Sequence, residues 1–137
     1  MQLHTYLNYG GNCEQAFTFY EKHLGGKITM LMRHGEQPGS DGASDKIRGV
    51  LHARMNIGGT ELSGADMAPD HFQPMRSAYL SLTLASDDEA ERVFALLSDG
   101  GEMFMPMQET FFASRFAMLR DRFGTSWMLL NPRPQSS

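Results

Sequence analysis

The order of elements in this chain is written twice, and that repeat limits the folds open to it. Near the start, Leu3, Thr5 and Leu7 alternate with His4, Tyr6 and Asn8, the period of a strand with one packed and one polar face. Asn12 is placed as a helix N-cap, and Cys13, Ala16, Phe17, Tyr20 and Leu24 then recur at helical spacing. Gly25-Gly26 ends that helix. Strands follow over Lys27–Arg33, Val50–Ile57 and Thr60–Ser63, and Gly58-Gly59 turns between the last two. From Ala78 the order restarts. Leu80, Leu82 and Leu84 alternate with Tyr79, Ser81 and Thr83, and Ser86 with Glu89 makes a capping box. Ala90, Val93, Phe94 and Leu97 form a helical stripe that Gly100-Gly101 stops. Strands over Glu102–Met107, Arg115–Arg120 and Thr125–Asn131 complete the second copy. The two Gly-Gly stops lie 75 positions apart, and Glu14-Gln15-Ala16 through Phe19-Tyr20 corresponds to Asp88-Glu89-Ala90 through Val93-Phe94.

A repeat of this kind predicts an α+β chain built from two βαβββ modules, over about 1–65 and about 78–132, with a linker at about 66–77. The strands would form a curved mixed sheet with the helices on its outer face. The face without helices would carry His4, Tyr6, Asn8, His52, Arg54, Tyr79, Ser81 and Thr83, and two sheets curling together would make it the lining of a cavity.

Composition removes several functions. A net charge of −4 with no dense Lys/Arg cluster offers no field for nucleic acid. No apolar run approaches the roughly 20 residues of a membrane span, and Met1-Gln2-Leu3-His4 lacks the start of a signal peptide. A single cysteine, Cys13, allows no internal disulfide and suits a reducing, cytoplasmic setting. Its place at a helix start is one where amides lower a thiol pKa, but without a nearby partner it reads as a small core residue. The eleven methionines read as adaptable core filling, scattered rather than clustered as ligands. Asp87-Asp88-Glu89 reads as charge favouring a helix N-terminus, and Arg120-Asp121-Arg122 as a turn with local ion pairing.

Three stretches carry a family resemblance. They are Tyr6-Leu7-Asn8-Tyr9-Gly10-Gly11-Asn12-Cys13-Glu14-Gln15-Ala16-Phe17 with Phe19-Tyr20-Glu21-Lys22-His23-Leu24-Gly25-Gly26, then Gly59-Thr60-Glu61-Leu62-Ser63-Gly64-Ala65-Asp66, then Gln108-Glu109-Thr110-Phe111 with Asp121-Arg122-Phe123-Gly124 and Trp127-Met128. On these the chain resembles the PhnB-like group of the vicinal-oxygen-chelate superfamily, which holds glyoxalase I, extradiol dioxygenases and bleomycin-resistance proteins. The resemblance implies the doubled βαβββ fold and a homodimer. Some members of the group carry a ubiquinone methyltransferase label, but no turn here reads as the Gly-rich strand-to-helix loop that a methyl-donor nucleotide requires.

Metal-dependent members of the superfamily place ligands on the first and last strand of each half, in the order His or Gln, Glu, His, Glu. Carried onto this chain, those positions fall on His4, Glu61, Tyr79 and Met128. Tyr coordinates a divalent ion poorly unless deprotonated, and a thioether suits Cu(I) rather than a hard ion. His52, Gln108 and Glu109 are alternative donors that no spacing demands. The leading reading is therefore a small-molecule-binding protein without a catalytic metal, its cavity lined by His4, Tyr6, His52, Arg54, Glu61, Tyr79, Gln108 and Met128. Arg54 or His52 would meet an anionic group, and the aromatics and Met an apolar part. Phe111 or Phe112 would line the pocket or pack against a partner subunit. The alternative is a lyase, isomerase or dioxygenase holding Zn, Ni, Mn or Fe through His4 and Glu61.

Overall fold

The structure, a computed structural model, describes residues 1–35 and 49–134. The Gly/Asp/Ser-rich connection from His34 to Gly49 therefore lies mostly outside the described residues. The chain divides into two compact units, Met1–Gln73 and Pro74–Ser137.

In the first unit β1 (Thr5–Tyr9) leads to α1 (Cys13–His23), followed by β2 (Lys27–Arg33), β3 (Val50–Ile57) and β4 (Thr60–Asp66). The four strands form one mixed sheet in the order β1-β4-β3-β2. β1 runs parallel to β4, whereas β3 is antiparallel to both of its neighbours. The Gly58-Gly59 turn has both residues at positive φ, which a two-residue hairpin needs and side chains resist. β4 runs three residues beyond the expected Ser63, because Gly64, Ala65 and Asp66 pair with Leu7, Asn8 and Tyr9.

Helix α1 packs on one face of this sheet and buries Cys13, Ala16, Phe17 and Tyr20 against Leu7, Ala53 and Met55. Burying a side chain such as Phe17 stabilises a fold by about 1.5–3 kcal/mol. The approach is close: a Cβ on Gly64 would lie 2.8 Å from Phe17 Cζ, so glycine at that strand position lets the ring reach the sheet. Outside the core, Arg33 pairs with Glu14 and holds its carboxyl below the ordinary value.

The second unit repeats the plan. β5 (Leu80–Thr83), α2 (Asp87–Ser98), β6 (Glu102–Gln108), β7 (Ala113–Arg120) and β8 (Ser126–Pro132) form a sheet in the order β5-β8-β7-β6, with β5 parallel to β8. Ser86 Oγ accepts from the Glu89 amide, so the expected capping box closes on its serine side. Asp87 does more than favour the helix dipole. Its carboxylate accepts from Ser114 Oγ and from Asn131 Nδ2, which tie the start of α2 to β7 and β8 and hold the Asp87 carboxyl below its usual range. Pro106 sits in the edge strand β6, where a missing N–H costs little, and the pairing with β7 shifts register between Met105 and Gln108.

The strands thus form two four-stranded mixed sheets, each with one helix on one face. Each sheet has one face under its helix and one open face without a helix.

Candidate functional site

On the open face of the first sheet, four of the expected residues meet. Tyr6 and Arg54 flank Ser63 in the register of β1, β4 and β3, and His52 lies two residues along β3 from Arg54. The Tyr6 and His52 rings stack with centroids 5.7 Å apart at 21°. Arg54 Nε donates to His52 Nε2 at 3.2 Å, and Tyr6 Oη and His52 Nδ1 are 3.1 Å apart. Because Nε2 accepts, the neutral ring carries its proton on Nδ1, which donates to the Tyr6 oxygen. Burial, with the Cys13 thiol adding to it, pushes the Tyr6 phenol above its ordinary pKa. The phenol therefore stays neutral, and its own O–H remains to donate outward. The Arg54 guanidinium also lies 4.0 Å from Glu61 Oε1. The arrangement offers a cation, a polarised imidazole and a phenolic donor on one polar face.

His4 stands apart from this chain of contacts. β1 begins at Thr5, so His4 precedes the strand, is exposed, and meets Gln2 Oε1 at 3.3 Å. Glu61 already faces the cationic Arg54, and among the described residues no three of His, Cys, Asp and Glu come together as a ligand group.

Tyr79, Gln108 and Met128 belong to the second unit. Tyr79 precedes β5, accepts a 3.0 Å hydrogen bond from Arg76 Nη1, and meets the Phe104 ring edge-on. Arg76 lies over the same Phe104 ring, 3.9 Å from its centroid, and is a candidate that sequence reading passed over as part of a linker. Met128 is directly opposite Met118 on β7 and Ser81 on β5, on the open face, while Trp127 is buried on the other. Gln108 ends β6 opposite Phe116. In the loop after it, Phe111 is 93% exposed, and Phe112 packs on Phe116 with centroids 5.2 Å apart.

A family model described as 3-demethylubiquinone-9 3-methyltransferase matches residues 1–130. The chain belongs to that family. Protein YjdN of Escherichia coli K12 is 32% identical over 94% of each chain. Among solved structures, PA1353 from Pseudomonas aeruginosa is 36% identical with a TM-score of 0.84, covering 96% of this chain and 97% of that one. A PhnB protein from Bacillus cereus is 26% identical with a TM-score of 0.81, covering 96% and 99%. The fold extends to a glyoxylase/bleomycin resistance protein/dioxygenase domain from Frankia, 16% identical with a TM-score of 0.63 over 97% and 98% of the two chains. The architecture is thus the glyoxalase/bleomycin-resistance fold, as the resemblance implied.

In this PhnB-like chain the strand-to-helix turn at Gly10-Gly11 is already committed. Asp66, buried at the end of β4, accepts through Oδ1 from the amides of Gly11 and Cys13 at 2.9 and 3.0 Å. Its Oδ2 accepts from Val50 N at 2.8 Å. An internal carboxylate therefore occupies the place at the start of α1 where a helix would receive an external anion. The expected cap is corrected as well: Asn12 is at the N-cap position, but its buried Oδ1 has no hydrogen-bond partner, and Asp66 holds the adjacent Gly11 and Cys13 amides. These contacts also settle Cys13. It is fully buried, and burial together with Asp66 and Glu14 pushes its thiol up to about 12, so it stays protonated at neutral pH and is no nucleophile.

Among the described residues no helix is long and apolar enough to cross a membrane.

Proposed function

We propose that this PhnB-like protein binds a small organic molecule on the open face of its first sheet and uses no catalytic metal there. The observation that carries the reading is the linked set Arg54–His52–Tyr6 beside Glu61. Its donors are aligned in advance, so a ligand's anionic or carbonyl oxygen gains hydrogen bonds without ordering long side chains first. Arg54 supplies the charge and Tyr6 the neutral O–H. The methyltransferase description of the family gains no support from the Gly10-Gly11 turn, whose Gly11 amide is held by Asp66.

The test is calorimetric titration of small planar drugs and phosphonate-like anions into the untagged full chain, followed by Arg54→Ala. Loss of one charge-assisted hydrogen bond predicts a rise in Kd of about tenfold or more. A ligand whose Kd is indifferent to Arg54→Ala and Tyr6→Phe would reject this face as the site. Stoichiometric Zn, Ni, Mn or Fe lost on Glu61→Ala would reject the metal-free reading. A cytoplasmic homodimer belongs to the same proposal; family resemblance and the exposed Phe111 support it, and light scattering is expected to give two chains per particle.

A further inference from the structure

We infer that the open face of the second sheet is a receptor for a planar aromatic molecule bearing one carboxylate, which Arg76 and Tyr79 hold while a row of methionines carries the ring. The inference takes from the reading above only that the chain binds small organic molecules; it adds a second face and names the class of ligand held there.

The row comes from register. Met105 on β6 is opposite Met118 on β7, which is opposite Met128 on β8, which is opposite Ser81 on β5. Directly opposed side chains have their Cβ atoms about 4.5–5.5 Å apart. Met118 and Met128 therefore stand side by side on the face that α2 does not cover, and Met105 pairs with Met118 between two register shifts of β6, all three part-exposed. This corrects the expectation that the methionines are merely scattered core filling. Met is unbranched and polarizable, so such a row adapts to a flat ring and gains sulfur–aromatic contacts. Two residues along β7, about 7 Å away, Phe116 with Phe112 bounds the row on one side, and Arg120 bounds it on the other.

The charge at that second side is divided unequally. Arg120 is satisfied: it donates to Glu102 at 2.7 Å and to the Met75 carbonyl at 3.1 Å. Arg33, Arg115 and Arg133 likewise hold carboxylates. Arg76 does not, among the described residues. Its guanidinium lies flat over Phe104 and spends one N–H on Tyr79 Oη, so its orientation is fixed while other N–H groups remain to donate. Tyr79, accepting from Arg76, keeps its own O–H as a second donor. A planar cation edge beside a hydroxyl matches a carboxylate, which accepts bidentately, and the neighbouring thioethers match an aromatic body.

The probes are 2-naphthoate and the neutral 2-naphthalenemethanol, titrated into the full chain with 13C-methyl methionine. Ring currents are expected to shift the Met105, Met118 and Met128 methyls, and Arg76→Ala is expected to weaken naphthoate about tenfold while leaving the alcohol unchanged. Shifts confined to other methionines, no binding of naphthoate, or equal naphthoate affinity in wild type and Arg76→Ala would overturn the inference. Arg54→Ala separates it from the function proposed above. Sensitivity to Arg54 alone leaves that function standing and removes this one, whereas sensitivity to Arg76 alone does the reverse.

Discussion

Asp66→Ala is expected to lower stability by about 4 kcal/mol, a large part of the roughly 5–15 kcal/mol that holds a domain together. Three backbone amides, from Gly11, Cys13 and Val50, converge on this one carboxylate. The contacts join the β1–α1 turn, the start of α1 and the start of β3 to the end of β4. Alanine removes all three acceptor contacts, and the amides of Cys13 and Val50, both fully buried residues, are left without water to replace them. Each such orphaned donor costs about 1–3 kcal/mol. The chain is also shaped around the group: Gly49 passes it at φ +95°, and a Cβ there would lie 2.2 Å from Asp66 Oδ2. Asp66→Asn is the discriminating variant. Its amide oxygen can serve Gly11 and Cys13, but its nitrogen then faces the Val50 N–H, donor against donor, so about 2–3 kcal/mol is still lost. Urea unfolding reads both variants. A loss below 1 kcal/mol for alanine would show that water or another acceptor takes over the amides.

What the sequence disclosed and what it hid divide along physical lines. Local devices were legible. The Ser86 cap, the glycines at 25, 58, 59 and 100 with positive φ, and the alternation that sends Ala53, Met55 and Ile57 inward all depend on neighbours within a few residues. Of the candidate site, Tyr6, His52 and Arg54 were legible from strand parity, and Glu61 from the family resemblance. Asp66 was not, since it reads as the first residue of the linker until Val50 and Cys13 are brought to it. The methionine row was hidden in the pairing of three strands, one of which slips register twice. His4 was placed by extending the parity of β1 one residue past where the strand begins. Arg76 has meaning only because its segment carries it across to Phe104 on β6.

Asp121→Ala is expected to cost about 4 kcal/mol for a related reason in the second unit, and here the sequence held an unused clue. Arg120-Asp121-Arg122 reads as a charged surface turn, yet Asp121 is buried and points inward. Its Oδ1 accepts from the amides of Phe123, Gly124 and Thr125 at 3.0–3.1 Å, the pattern by which an aspartate folds a turn over its own side chain. An aspartate three residues before a turn glycine is the signal for that. The part no local rule reveals is Oδ2, which accepts from Trp127 Nε1 at 2.9 Å and so locks the turn to the core. Alanine unfastens the β7–β8 turn and removes the carboxylate acceptor from the buried indole N–H; the emission of the chain's single tryptophan follows the unfolding in urea. The two halves of the carboxylate can be told apart by a cycle. Asp121→Asn sets an amide nitrogen either against the indole N–H or against the turn amides, at a cost of about 2–3 kcal/mol. Trp127→Phe removes the indole donor and some core volume, at a similar cost. Together they should cost at least 1 kcal/mol less than their sum, because the donor that clashed is gone. Circular dichroism reads that cycle, and simple additivity would mean that the turn amides alone account for the aspartate.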